Sequence, residues 1–166
     1  MSTVVVNMAL GPALRRAWVG YQLRLDAELA AAGFVDRGFP DTRVLLMCAD
    51  SAGTTTSQIG RELGITRQGA SKVTASLRDR GYVTIEASPT NGREKVVALT
   101  PRAVEYLAAQ TAAVRAVDEK LRLELGADGL ADLHRLLEIV RGADDPRTIS
   151  YVRRRRQIGG LSPSDG

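Results

Sequence analysis

Polarity changes its rhythm twice along this chain: apolar residues recur at helical spacing towards both ends, and β-branched runs interrupt them in between. From Leu10, the side chains of Leu14, Trp18, Tyr21, Leu25 and Leu29 follow at intervals of three and four, which predicts a helix with one apolar face ending near Gly33. After Pro40 the segment DTRVLLMCAD is apolar on most sides. It predicts a short buried helix with Asp41 as its N-cap, broken by SAGT.

The most informative stretch is TTTSQIGRELGITRQGASKVTASLRDRGYV. Thr55 and Gln58 have capping-box spacing, in which a hydroxyl accepts from one backbone N–H while the side chain three residues on reaches back to the cap. A helix starts there with Ile59 and Leu63 facing inward, and Gly64 stops it. Thr66 caps a second helix with inner positions Ala70, Val73 and Leu77, and Gly81 ends it. Two short helices joined at a glycine, with small Gly60 and Ala70 where they approach, predict a helix-turn-helix.

Next, the β-branched runs YVTIEA and KVVAL flank SPTNGRE, whose Asn91-Gly92 pair is the strongest short hairpin signal. A two-stranded wing is expected. A helix-turn-helix followed by a hairpin is a winged helix, in which one helix can enter a major groove while the hairpin reaches backbone or minor groove beside it. Thr100 and Pro101 then open a long helical pattern to about Leu125, with Leu107, Thr111, Val114, Leu121 and Leu125 on one face. GADG breaks it, Leu130, Leu133, Leu137 and Val140 mark a last helix, and a tail containing VRRRR follows from Gly142.

The reading is therefore a mainly α (α+β) fold: an N-terminal arm over 1–9, a domain over 10–141, and a flexible basic tail over 142–166. Within the domain, 54–100 form the winged helix-turn-helix, while 10–31 and 101–141 carry apolar stripes too long for so small a lobe to cover. These outer helices are expected to form a dimerisation lobe with a second copy. A homodimer would present two recognition helices to half-sites about one helical turn, roughly 34 Å, apart on double-stranded DNA.

Composition narrows the function. An apolar content of 44% over 166 residues suits a globular domain, and only 4% aromatic residues favour cores of Ala, Leu, Val and Ile between helices. The opening MSTVVVNMAL has no basic leader, and no run reaches the roughly 18–20 apolar residues of a membrane span, so a cytoplasmic protein without membrane association is expected. With Cys48 the single cysteine and His134 the single histidine, neither a disulfide framework nor a typical zinc site can form. No nucleophile triad, phosphate loop or dinucleotide fingerprint is present, so no catalytic residue, metal or cofactor is expected, and the protein is not expected to be an enzyme.

Charge is informative by position. Residues 1–53 hold five basic and five acidic groups and residues 103–166 ten of each, whereas residues 54–102 hold eight basic against four acidic. The whole excess behind the net charge of +4 sits on the winged helix, the footprint expected of a nucleic-acid contact, although a solvated basic face gives the same count.

Several strings here resemble the MarR family of bacterial transcription regulators: TTTSQIGRELGITRQGASKV for the helix-turn-helix, LRDRGYV for the entry to the wing, and NGREKVVALTPRA for the wing and its exit. Asn91 stands where that family usually carries an aspartate, and Ala103 where it usually carries a glycine. The resemblance implies a homodimeric DNA-binding regulator, often a repressor released when a small aromatic ligand binds between the dimer helices and the DNA-binding lobe.

The candidate contacts follow from residue type and place. Arg67 could take guanine in bidentate fashion and Gln68 adenine, with Ser71 and Lys72 suited to phosphates and Thr66 shared with capping. Thr55 and Ser57 offer hydroxyls at the other helix start, Arg93 follows the wing turn of Asn91 and Gly92, and Lys95 begins the outgoing strand. Trp18 and Tyr21 are the weaker candidates for a ligand surface, since aromatics on an apolar stripe also suit a dimer core. Cys48, inside VLLMCA, is read as core in preference to an oxidant sensor. Arg153 to Arg156 form either a non-specific phosphate arm or an inert tail. Against the regulator stands a second reading, a winged-helix interaction or ligand-binding module with weak DNA binding.

Overall fold

The structure, a computed structural model, describes residues 9–36, 41–49, 54–87 and 94–142. In chain order these form α1 (Leu10–Ala31), α2 (Asp41–Ala49), β1 (Thr54–Thr55), α3 (Thr56–Leu63), α4 (Arg67–Asp79), β2 (Val83–Ala87), β3 (Lys95–Leu99) and α5 (Pro101–Arg141). The wing turn of Asn91, Gly92 and Arg93, the arm before Ala9 and the arginine run at 153–156 lie outside the described residues.

Short-range chemistry sets the boundaries of the central elements. The Thr55 hydroxyl accepts from the Gln58 N–H at 3.2 Å, and the Gln58 side chain accepts from the Thr55 N–H at 2.8 Å, so both halves of the capping box are made. Thr66 and Thr100 cap α4 and α5 by accepting from Gly69 and Ala103. At the other ends, Gly64 (φ +67) and Gly81 (φ +77) take the left-handed conformation that turns the chain out of α3 and α4. There the Ile65 N–H reaches the Gly60 carbonyl at 3.0 Å and the Tyr82 N–H the Leu77 carbonyl at 2.9 Å. α3 and α4 pack closely because a Cβ on Gly60 would already lie 3.4 Å from that of Ala70.

β2 and β3 pair antiparallel from Val83↔Leu99 to Ala87↔Lys95. The expected two-stranded hairpin is present, and a third strand that was not expected joins it: β1 adds to the other edge of β3 through Thr54↔Val97 and Thr55↔Val96, giving the order β1-β3-β2. A two-residue strand has no periodicity to show, and its residues look like helix caps in the sequence because Thr55 serves as both. Asp41 is the first residue of α2, and its carboxylate pairs with Arg80, a contact with no signal in the local spacing.

The core gathers Leu29 of α1, Val44 and Leu45 of α2, Ile59 of α3, Leu77 of α4, Val97 of β3 and Val117 of α5, all fully buried. α5 is continuous except at Gly126 (φ 75, ψ 163), where the chain kinks at the GADG string. Its first half packs on α1, with Tyr21 donating to Asp118 at 3.0 Å and Arg24 paired with Glu124 at 2.9 Å. Past the kink the apolar side chains stay outside: Leu133, Leu136, Leu137, Ile139 and Val140 are exposed, as are Leu10, Trp18, Val19 and Leu23 on α1. No helix among the described residues is long and apolar enough to cross a membrane.

Candidate nucleic-acid interface

Helix α4 is anchored along one side and open along the other. Ala70, Thr74 and Leu77 are buried, with the Thr74 hydroxyl satisfied by the Ala70 carbonyl at 3.0 Å. On the opposite side Thr66, Arg67, Gln68, Ser71 and Lys72 are exposed. The last four fall one turn apart in two adjacent pairs, so they cover about 7–8 Å of one face at the helix start. Among the described residues, the side chains of Arg67, Gln68 and Lys72 have no intramolecular partner. That leaves a fork of guanidinium donors, an amide and an ammonium together on a rigid element, a donor set suited to base edges and phosphate oxygens. Thr66 has spent its acceptor on Gly69, which leaves its hydroxyl hydrogen free to donate.

Thr55 and Ser57, at the start of α3, are half-buried, and Thr55 is tied to Gln58 through both its hydroxyl and its N–H. Lys95 is exposed and faces Ala87 across the β2–β3 ladder. Trp18 and Tyr21 stand apart from this group on α1, where their rings stack at 6.2 Å and Tyr21 is held by Asp118. Trp18 is 59% exposed, so none of the described residues encloses it.

Cys48 lies in the core at 3% exposure. Burial pushes its thiol up to about 11, a rise moderated by a hydrogen bond with Thr54. Peroxide attacks the thiolate, so this side chain is poorly suited to sensing it. In the folded protein, iodoacetamide is expected to modify Cys48 roughly 100-fold more slowly at pH 8 than in urea, as the gap between its ordinary value of 9.0 and about 11 requires. The unfolded chain loses this proton first, so the thiol's contribution to stability is complete below about 9 and fades as pH rises towards 11. Rapid folded-state labelling at pH 8, followed by mass spectrometry, would show the thiol to be reachable.

Behind α4 lies a polar and aromatic cluster that the sequence reading missed. Arg80, the C-cap of α4, donates from Nη1 and Nη2 to the two carboxylate oxygens of Asp41 at 2.6 and 2.9 Å. It also donates to the Asp36 carbonyl at 2.7 Å and the Ser76 carbonyl at 3.2 Å. Tyr82, next along the chain, donates to the Asp36 carboxylate at 2.7 Å, and the Arg102 guanidinium lies 5.0 Å from its ring. The edge contacts Tyr82–Tyr106 and Phe34–Tyr106, both at 5.5 Å, carry the cluster into α5 and the chain after α1. Burial, then the bond to Asp36, pushes the Tyr82 phenol up to about 12. Partners 39 residues apart leave no spacing signal to read.

Comparison with known proteins places this geometry. The sequence model described as the MarR family matches residues 35–94, which span α2 to the wing. The HTH-type transcriptional repressor Rv2887 of Mycobacterium tuberculosis is 29% identical over 129 residues, 78% of this chain and 91% of that repressor. Its crystal structure superposes with a TM-score of 0.59 at 25% identity, covering 84% of this chain and 98% of the other. The repressor CouR bound to a 23-mer DNA duplex is similar with a TM-score of 0.64 at 24% identity, covering 85% of this chain and 98% of that one. The PcaV regulator of Streptomyces coelicolor with its natural ligand is similar at 0.61 and 20% identity, over 87% of this chain and 100% of the other. The helix-turn-helix, the small sheet and the long outer helices are thus similar in fold to these regulators, and residues 35–94 carry the sequence pattern of the MarR family.

Proposed function

We propose that this protein is a cytoplasmic homodimeric repressor that binds a pseudo-palindromic operator through α4 and catalyses no reaction. The observation that carries the reading is the exposed, unpartnered set Arg67, Gln68 and Lys72 on a helix whose other face is buried. In this role Arg67 and Gln68 read base edges, and Ser71, Lys72, Thr55, Ser57 and Lys95 take phosphates, with Thr66 completing the helix start. Arg93 of the wing is assigned a groove or phosphate contact on its resemblance to the family alone. DNA as the partner is supported by CouR, a structural relative that was solved on a duplex.

The dimer is supported by the apolar side chains left outside on α1 and on α5 beyond Gly126, Trp18, Leu23, Leu136 and Ile139 among them. Monomeric proteins rarely leave so much contiguous apolar surface uncovered. Release by a small aromatic ligand is supported by the ligand-bound PcaV relative, and in this chain no residues are assigned to it.

The test is selection of duplexes from the region upstream of its own gene, with binding read by fluorescence anisotropy across a salt series and the stoichiometry by native mass spectrometry. A dimer per duplex is expected, with affinity falling steeply as salt rises. A monomer, or affinity indifferent to sequence, would overturn the reading.

A further inference from the structure

We propose that Arg80 and Asp41 form a positioning latch that fixes the angle of α4 relative to the outer helices, and thereby the separation of the two copies of α4 in a dimer. The inference rests on the assignment of α4 as the recognition helix. α4 itself packs against α3 and β2, both within the winged helix. Arg80 ends that helix and reaches past both: it grips Asp41 at the start of α2, a helix that packs on β3 and on α5, with two parallel bonds, and also the carbonyl of Asp36, which follows α1. A fork gripped at two oxygens and a carbonyl resists rotation as a single contact cannot. Its bond to Ser76 ties the same guanidinium back into the last turn of α4, so the helix cannot turn without breaking the set.

The environment suits a positioning role more than a stabilising one. The Asp41 side chain is 7% exposed and that of Arg80 23%, so both are largely desolvated, and a buried ion pair returns little net stability against an apolar replacement of equal size. What such a pair does supply is a defined geometry. A dimer that must meet two half-sites at once depends on that geometry, whereas one recognition helix on one half-site does not.

The experiment compares Asp41→Asn and Arg80→Lys with the unaltered protein on two duplexes, one carrying both half-sites and one carrying a single half-site. Each variant is expected to lose roughly tenfold on the full site, the scale of coupling between linked elements, and to stay within about twofold on the half-site. Equal losses on both duplexes would mean a role in folding only and would overturn the proposal. A second measurement needs no DNA. Spin labels at Ser71→Cys on α4 and Arg115→Cys on α5, in protomers diluted with unlabelled protein, report the angle between lobes. Asp41→Asn is expected to broaden the distance distribution, and an unchanged distribution overturns the latch. If the unaltered protein binds no duplex, the regulator reading fails, and the spin labels decide the latch alone. Should Asp41→Asn not fold, Arg80→Lys, which keeps the charge but lacks the fork, carries both measurements.

Discussion

Replacing Arg67 and Lys72 together with alanine is expected to lower affinity for the operator duplex by at least about 100-fold, with the fold and the dimer intact. A bidentate arginine on guanine contributes about 1–3 kcal/mol of discrimination, and a dimer carries two copies, so Arg67 alone accounts for roughly 2–6 kcal/mol. Lys72 adds a phosphate contact per protomer, and its loss should reduce the slope of log affinity against log salt by about 2 per dimer. The single variants are expected to separate by kind. Arg67→Ala should relax sequence preference at one position of each half-site, while Lys72→Ala should weaken all sequences alike. Anisotropy titrations on operator and scrambled duplexes measure both effects. A double variant with full affinity would show that another surface meets the DNA. Both side chains are exposed and unpartnered among the described residues, so their removal costs the fold little, and circular dichroism should stay unchanged.

Tyr82→Ala is expected to have the largest effect on stability, about 3–5 kcal/mol, the range for removing a buried aromatic side chain. The residue is 2% exposed and joins three parts of the chain: its edge meets Tyr106 of α5, its hydroxyl meets Asp36 after α1, and its ring lies beside Arg102. Against a typical total stability of about 5–15 kcal/mol, that loss should leave a substantial unfolded fraction on mild warming. Tyr82→Phe should cost only about 1–2 kcal/mol, because the ring contacts persist and Asp36 keeps Arg102 at 3.6 Å in place of the hydroxyl. Urea unfolding of both variants measures the difference. Equal costs would mean that the hydrogen bond, and not the ring, joins the lobes.

The exposed apolar side chains of α1 and α5 show how far a periodicity argument reaches. The stripe beginning at Leu14 does define the inner face of α1 at Leu25 and Leu29, which are buried. The same stripe leaves the protomer at Trp18, so period alone could not tell which part meets the chain's own core. In α5 the predicted face turns towards the core at Leu107, Thr111, Val114 and Leu121, but its last member, Leu125, is exposed beside the kink at Gly126. The fully buried aromatic there is Tyr106, one position away, because a large ring fills the space between Phe34 and Tyr82.

What the sequence by itself determined was everything written within four or five residues. The capping box at Thr55, the caps at Thr66 and Thr100, the glycine exits from α3 and α4, the break at Gly126 and the exposed polar face of α4 all arise from side chains and backbone groups that are neighbours along the chain. Their geometry is dictated by local torsions and hydrogen-bond reach, which residue type and spacing specify. Tertiary structure alone decided the contacts between distant segments: the β1 edge on β3, the burial of Asp41 against Arg80 and the aromatic cluster behind α4. Asp41 offers a carboxylate that reads as a helix cap in the sequence. Whether it also becomes the partner of a guanidinium depends on whether a chain 39 residues away returns to meet it, and that is settled by the packing of whole elements around a shared core.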